Sequence, residues 1–224
     1  AAGVAHEIGN PITGIACLAQ NLKEEREGDG EIEEASLQIL EQTKRVSRIV
    51  QSLMSFAHAG TRTHNSEPVC LAEVAREAIG LLSLNKRSHD VQFFNLCHPD
   101  HWVSGDPQRL AQVLINLLSN ARDASPDGGT IRVSSEQQGD SIELIVEDEG
   151  SGIPRAIMDR LFEPFFTTKD PGSGTGLGLA LVYSIVEEHY GQITIDSPAN
   201  VEQQRGTRFR VTLPRYVETT SAAN

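Results

Sequence analysis

Positive charge is scarce in this chain: 19 Lys and Arg stand against 31 Asp and Glu, a formal net charge of −12. Glu24, Glu25, Glu31, Glu33 and Glu34 crowd one expected loop. A phosphate-backbone partner would be repelled, which excludes nucleic-acid binding as the function. Cysteine is scarce too. Cys17, Cys70 and Cys97 are odd in number, scattered and free of any CxxC pair, which excludes a disulfide framework and points to reduced thiols in a cytosolic compartment. No apolar run reaches about 18 residues and no signal-peptide pattern is present, so no membrane segment is expected in this chain. Internal repeats and low-complexity tracts are lacking as well. What the chain does have is 38% apolar residues over 224 positions, enough for one large or two modest cored domains. It begins inside a helical pattern, so it is expected to be a piece of a longer protein, with a cytoplasmic location either alone or as the cytoplasmic part of a membrane-anchored sensor.

Hydrophobic periodicity divides the chain in two. Val4, Ile8, Pro11 or Ile12, Ile15, Leu18 and Leu22 follow an alternating 4,3 spacing, and after the break at "REGDGE" a second seam runs through Ile32, Ala35, Ile39, Gln42, Val46, Ile49, Leu53 and Phe56. Two such helices around a short Gly-containing loop predict an antiparallel hairpin. A lone hairpin leaves its seam open on one side, so two copies are expected to pair into a four-helix bundle, making the protein a homodimer. The polar stretch "HAGTRTHNSEP" reads as a linker. Beyond it, helical windows at residues 71–84, 107–124 and 176–190 alternate with period-2 stretches at 91–96, 130–134, 141–148, 192–196 and 207–213. One-sided strands with helices between them predict a mixed sheet covered on one face, an α/β sandwich.

The stretch "AHEIGNP" carries the first candidate site. His6 stands two residues from both Val4 and Ile8, so at roughly 100° per residue it points about 200° away from each seam position, outward. Asn10 shares its face one turn on, and Glu7 is its neighbour. Pro11 takes the helical partner from the Glu7 carbonyl and should kink the rod at a cost of about 3 kcal/mol. An ordinary surface histidine is the plain alternative. A zinc-protease motif is excluded, because Asn10 stands where HExxH needs its second histidine. "CHPDH" at 97–101 could pair metal ligands but has no distant partner set, so a plain loop is the default there.

The second half holds three further candidates. In "DPQRLAQVLINLLSNARDAS", Asp106 caps a helix with Pro107 at its first position. Asn116, Asn120 and Asp123 run along one flank at 4,3 spacing, and such oxygen donors suit Mg²⁺. A solvated helix flank is the alternative. In "IELIVEDEGSGI" the parity of Ile142, Leu144 and Val146 turns Asp148 inward, where a carboxylate needs a donor, and Gly150 and Gly152 let backbone approach a ligand. That acid could read an exocyclic amine such as adenine's, or simply cap a helix. In "FEPFFTTKDPGSGTGLGLAL" a glycine-rich stretch leads into an apolar helix, a ready anion site, though neither a Walker A loop nor a dinucleotide fingerprint.

The order of these stretches supplies a resemblance that covers roughly residues 1–215. "AHEIGNPITGI" resembles the H-box of sensor histidine kinases, in its nitrogen-regulation-type branch. "NARDA", Asp148-x-Gly-x-Gly, "FEPFFTTK", "GTGLGLAL" and "GTRF" resemble, in sequence, the N, G1, F, G2 and terminal glycine boxes of the GHKL ATPase fold. The resemblance implies an α+β architecture: a helical hairpin, dimeric as a four-helix bundle, over 1–60, a linker over 61–68, an ATP-binding α/β sandwich of the GHKL (Bergerat) type over 69–216, and a disordered tail over 217–224. It implies that His6 is the phosphoacceptor, that Glu7 orients or deprotonates it, and that Asn10 positions water for dephosphorylating a partner. ATP and Mg²⁺ are the implied cofactors. Asn120, with Asn116 beside it, would hold the metal. Asp148 would contact adenine beside Gly150 and Gly152. Phe162, Phe165 and Phe166 would anchor a lid, and Lys169 with Gly174, Thr175, Gly176, Leu177 and Gly178 would engage phosphates. Asp123 replaces a phosphate-directed lysine found in another branch, which leaves Lys169 or an arginine such as Arg122 to neutralise charge. The implied activity is Mg-ATP-dependent autophosphorylation followed by transfer to an aspartate of a response regulator, with a reverse phosphatase activity. The rivals are a GHKL-type ATPase clamp, which would use a glutamate in the 107–124 helix where none occurs, and a nucleotide-binding scaffold, which would be expected to lose Asn120, Asp148 or His6.

Overall fold

A computed structural model describes residues 2–25, 30–58, 67–84, 91–169, 175–200 and 205–217. The chain divides into two compact units, Ala1–Thr61 with Glu163–Gly178, and Arg62–Phe162 with Leu179–Asn224.

In the first unit, α1 (Ala2–Glu25) and α2 (Gly30–His58) pack against each other as the expected hairpin. Helix α1 continues through Pro11 as one element. The seam differs from the expectation. The faces turned toward each other bury Ile12 and Ala19 on α1 against Ser36 and Thr43 on α2. Ile15, Leu18 and Leu22, with Ile39 and Val46, are exposed instead. At about 100° per residue these stripes are centred roughly 60–80° around each helix from the buried face. Small side chains let the two helices approach within the chain, while the large apolar ones are held out to the side. Ile12, Ile15, Ala35, Ile39, Thr43 and Val46 line an open groove of about 600 Å³ there.

The second unit is built on a five-stranded mixed sheet of order β2-β4-β5-β7-β6: β2 (Gln92–Leu96), β4 (Thr130–Gln138), β5 (Ser141–Asp148), β6 (Gln192–Asp196) and β7 (Thr207–Pro214). The β2–β4 pair is parallel and the rest antiparallel. A two-stranded ribbon of β1 (Glu67–Cys70) and β3 (Trp102–Gly105) was not legible in the sequence. It begins inside the stretch read as linker, whose remaining residues, 61–66, lie outside the described set. Helices α3 (Leu71–Leu84), α4 (Pro107–Ala124) and α5 (Gly178–Glu188) match the expected windows, α5 being shorter by two residues at each end than the window at 176–190.

One core joins the helices to the inward face of the sheet, with Leu71, Leu114, Leu117, Ile131, Leu144, Val182 and Leu213 fully buried. Asp106 caps α4 as expected, accepting from the Gln108 and Arg109 amides at 2.8 and 3.2 Å. His189 ties the far end of α5 to that cap: its Nε2 accepts the Asp106 N–H at 3.0 Å and its Nδ1 donates to the Ile185 carbonyl at 2.7 Å. This fixes the neutral tautomer, since one ring nitrogen must accept while the other donates. Arg109 and Glu188 add an ion pair at 2.7 Å between the same helices. The outer sheet face carries a ladder of opposite charges. Arg208 pairs with Glu147, and Arg210 bridges Asp196 at 2.9 Å and Glu143 at 3.4 Å. Ile145, opposite Arg210 in register, is buried although it faces away from the helices.

Candidate functional site

His6, Glu7 and Asn10 lie in the first turns of α1. Their side chains fall outside the described residues, and so does the outward aim expected of His6. The backbone keeps His6 and Asn10 one turn apart on the same helix face, as their spacing requires.

In the sheet unit the central strand β5 ends on Asp148, flanked in register by Ile131 of β4 and Thr207 of β7. The carboxylate is 5% exposed, on the inward face that parity predicts. Its donors are backbone amides: Gly150 N–H at 2.8 Å and Thr207 N–H at 3.1 Å, both onto Oδ1. Burial pushes the Asp148 carboxyl up to about 6, outweighing the two amides that pull it down, with the neighbouring Glu147 charge adding to the rise. Both bonds fall on one oxygen, so Oδ2 is the oxygen a ligand's amine would meet.

Glycines close the wall around it. A Cβ at Gly150 would stand 2.7 Å from the Ala124 carbonyl, and one at Gly206, where φ is +81°, would stand 2.4 Å from the Asp148 carbonyl. Gly206 N–H donates to the Gly150 carbonyl at 2.8 Å. Gly152 has φ +77°, with the Ser197 hydroxyl beside it. That hydroxyl accepts the Ile153 N–H at 2.7 Å and donates to the Gly206 carbonyl at 3.2 Å. Ser197 and the Thr207 amide are site parts that sequence reasoning missed. The Gly-Thr pair opening the last strand was a signal for Thr207; Ser197, 44 residues from its bonding partner, had none.

On α4, Asn116 and Asn120 are both half-buried. The Asn116 amide N–H donates back to the Gln112 carbonyl at 2.9 Å, which turns its oxygen away from its own helix. A hard oxygen donor on a helix flank fits Mg²⁺, and the carboxylate with its glycine cradle fits a nucleobase. Arg122 does not serve as the phosphate cation the sequence suggested. It is 5% exposed and donates to the Leu82 carbonyl at 3.2 Å, so it is held inside the α3–α4 packing.

The glycine-rich stretch has its own local geometry. Phe165 and Gly176 both take positive φ, 68° and 67°, and a Cβ at Gly176 would stand 2.3 Å from the Phe165 carbonyl carbon. Only glycine fits position 176. Leu177 is buried, and its N–H donates to the Thr175 hydroxyl at 3.4 Å. Lys169 is half-buried, its N–H on the Thr167 hydroxyl at 3.2 Å. Gly178 starts α5. Gly174 lies outside the described residues.

The "CHPDH" stretch forms a turn around Ser135, whose hydroxyl meets the His98 N–H at 3.0 Å and His101 Nδ1 at 2.8 Å. Among the described residues no group of three or more His, Cys, Asp or Glu could hold a metal ion, and no helix is long and apolar enough to cross a membrane.

Comparison with known proteins yields two family matches. Residues 1–62 match the His Kinase A (phospho-acceptor) domain, and residues 105–217 match the histidine kinase-, DNA gyrase B- and HSP90-like ATPases. Over 216 residues the chain is 33% identical to sporulation kinase A of Bacillus subtilis, covering 96% of this chain and 34% of that protein. It is 35% identical to the sensor histidine kinase ZraS of Escherichia coli, covering 96% of this chain and 44% of that protein. The chain thus spans a third to less than half of these relatives. The solved structure of histidine kinase ThkA in complex with response regulator protein TrrA superposes at a TM-score of 0.68 and 28% identity, over 96% of this chain and 60% of that one.

Proposed function

The chain belongs to the histidine kinase family, joining a phospho-acceptor domain to an ATPase domain of the gyrase B and HSP90 type, and from that premise we propose that it is the core of a two-component sensor histidine kinase. In this reading residues 1–60 form the dimeric phosphoacceptor hairpin, 61–68 the linker and 69–216 the ATP-binding domain, with the last two linker residues already in strand β1 (Glu67–Cys70). ATP supplies the γ-phosphoryl group; Asn120, with Asn116 beside it, would hold Mg²⁺, which would supply charge neutralisation at the phosphates. A neutral His6 ring nitrogen forms a bond to the γ-phosphorus as the bond to the ADP oxygen breaks. Glu7 offsets the positive charge that develops on the imidazole and takes its ring proton. Positioning and charge neutralisation carry such a reaction, with little covalent help from protein. Asp148 reads the adenine amine through Oδ2, with Gly150 and Gly152 giving close backbone approach. Lys169 and the residues 174–178 engage the phosphates.

The observation that carries the nucleotide reading is the buried Asp148, bonded on one oxygen only by Gly150 and Thr207. A carboxylate kept out of water, with both of its backbone donors on one oxygen, supports a ligand donor at the other. The dimer reading rests on the exposed stripes of α1 and α2. Each helix of a four-helix bundle has two neighbours about a right angle apart, and here one is supplied within the chain. The second copy would cover Ile15, Ile39 and Val46. The phosphoryl group would then pass to an aspartate of a response-regulator receiver domain; the related histidine kinase ThkA has been solved in complex with the response regulator protein TrrA. Asn10 would position water for the reverse, phosphatase, reaction. A cytoplasmic location follows from this activity.

The test is transfer. Chain labelled from γ-³²P-ATP, freed of nucleotide and mixed with a receiver domain and Mg²⁺, should lose its label to the receiver within minutes. Steady release of phosphate with no labelled chain at any time would instead identify an ATP-driven clamp.

A further inference from the structure

Within the proposed kinase, Tyr183 has no assigned part, and the geometry points to one. Its ring, 42% exposed on the face of α5, packs on Phe162 with centroids 5.4 Å apart at a tilt of 44°. Its hydroxyl donates to Glu187 one turn further along the same helix. Phe162 is the residue from which the chain departs into the phenylalanine stretch, and α5 is the helix on which the chain returns from Gly176. We infer that Tyr183 is a positioning residue for nucleotide binding: it clamps Phe162 to α5, so that the start of the Phe165 stretch and the glycines at the head of α5 are fixed to one helix. The inference rests on the reading that Lys169 and the α5 head engage phosphates.

Three observations support it. First, Tyr183 lies five residues after Gly178, so one rigid helix carries both the clamp and the first amides of the anion site. Second, the return leg is narrow: Gly176 abuts the Phe165 backbone, with both residues at positive φ. A Cβ at Gly176 would stand 2.3 Å from the Phe165 carbonyl carbon, so the two backbones meet where no side chain fits. Third, an aromatic ring left 42% exposed gains little from burial. Its orientation is fixed by the Glu187 bond on one side and the Phe162 face on the other, which is how a clamp is held rather than how a core is filled.

An aromatic pair of this kind is worth about 0.5–1.5 kcal/mol beyond its buried area. The expected effect on ATP affinity is therefore about two- to tenfold. The experiment measures autophosphorylation of the whole chain as a function of ATP concentration, for the wild type, Tyr183→Ala, Tyr183→Phe, Phe162→Leu and the double variant Tyr183→Ala/Phe162→Leu. Tyr183→Ala should raise the KM for ATP by that factor, with the maximal labelling rate within about twofold of the wild type. Tyr183→Phe, which keeps the ring, should restore most of the affinity. Phe162→Leu should match Tyr183→Ala, and the double variant should be no worse than either, because one pair is removed once. An unchanged KM in Tyr183→Ala, or effects that multiply in the double variant, would overturn the clamp. If Tyr183→Ala does not fold, the Phe162→Leu and Tyr183→Phe pair decides alone. A wild type that takes no label would overturn the kinase reading instead, so the two failures are told apart.

Discussion

The hairpin and the sheet domain treat apolar side chains in opposite ways. In the sheet domain Leu114, Leu117, Ile131, Leu144 and Val182 are sealed from water. In the hairpin the described buried positions pair Ile12 and Ala19 with the polar Ser36 and Thr43, while Ile15, Leu18, Leu22, Ile39 and Val46 face outward. One region has closed its core within a single chain. The other has spent its small residues on the internal contact and kept its large ones for a surface that a second copy would complete. On the proposed reading the first is a self-contained binding domain and the second is half of a dimer, to which its stability would be tied.

The strongest way to break this contrast is a charge in the open stripe. Ile39→Asp should dissociate the dimer, because an isologous interface carries each substitution twice. Two desolvated carboxylates at about 2 kcal/mol or more each weaken association on the order of a thousandfold. Sedimentation or light scattering would report it, with ATP affinity unchanged within about twofold; a variant that stays dimeric contradicts the assignment of the stripe. In the sealed core, Leu117→Ala should cost about 2–5 kcal/mol, read by denaturant unfolding of the sheet domain, with the dimer intact at low denaturant. A loss under about 1 kcal/mol would mean that the core is not as closed as it looks.

The third test concerns Asp148, whose carboxyl is raised to about 6 by burial. A raised folded-state value contributes stability that is fully present below the unfolded value near 4 and is lost as pH rises through about 6. Asp148→Asn, which keeps an oxygen for both amides, should therefore leave the domain as stable as the wild type or more so, by about 1–2 kcal/mol at pH 7.5, with no gain at pH 4. It should also weaken ATP binding about tenfold or more. In the wild type, ATP affinity should fall as pH drops from 7 to 5, with an apparent midpoint near 6. A pH-independent affinity would remove the carboxylate from the binding account. The smallest effect belongs to the outer sheet face, where Arg210→Ala should cost about 0.5–1 kcal/mol in thermal melts, since its partners are only partly shielded from water.

These contrasts were unevenly legible in the sequence. Long periodic elements were plain: α3, α4 and α5 lie at their expected windows because ten or more residues repeat one face. β1 and β3 were not, because four residues each, EPVC and WVSG, have too little alternation to register, and each finds its ladder partner in the other, about 35 residues away in sequence. The heptads of the hairpin announced helices and an open seam but not which residues meet inside one chain, since a stripe at 4,3 spacing looks the same whichever neighbour covers it. At the site, Asp148 was legible from strand parity, whereas Ser197 was not, because its role comes from a fold-made contact with Ile153. Arg122 was a candidate phosphate cation only through the resemblance, which left it or Lys169 to replace a lysine; helix phase turns it into the α3–α4 packing instead.

In the proposed reaction the two regions do separate halves of the work, nucleotide binding in the sheet domain and phosphoryl acceptance on His6. The most direct measurement takes His6→Gln and the wild type side by side with γ-³²P-ATP and Mg²⁺, recording ATP affinity and covalent label on the same samples. The variant should bind ATP within about twofold of the wild type and take up none of the acid-labile, alkali-stable label that the wild type carries. Label of equal amount on His6→Gln, or an ATP affinity lost together with the label, would contradict it.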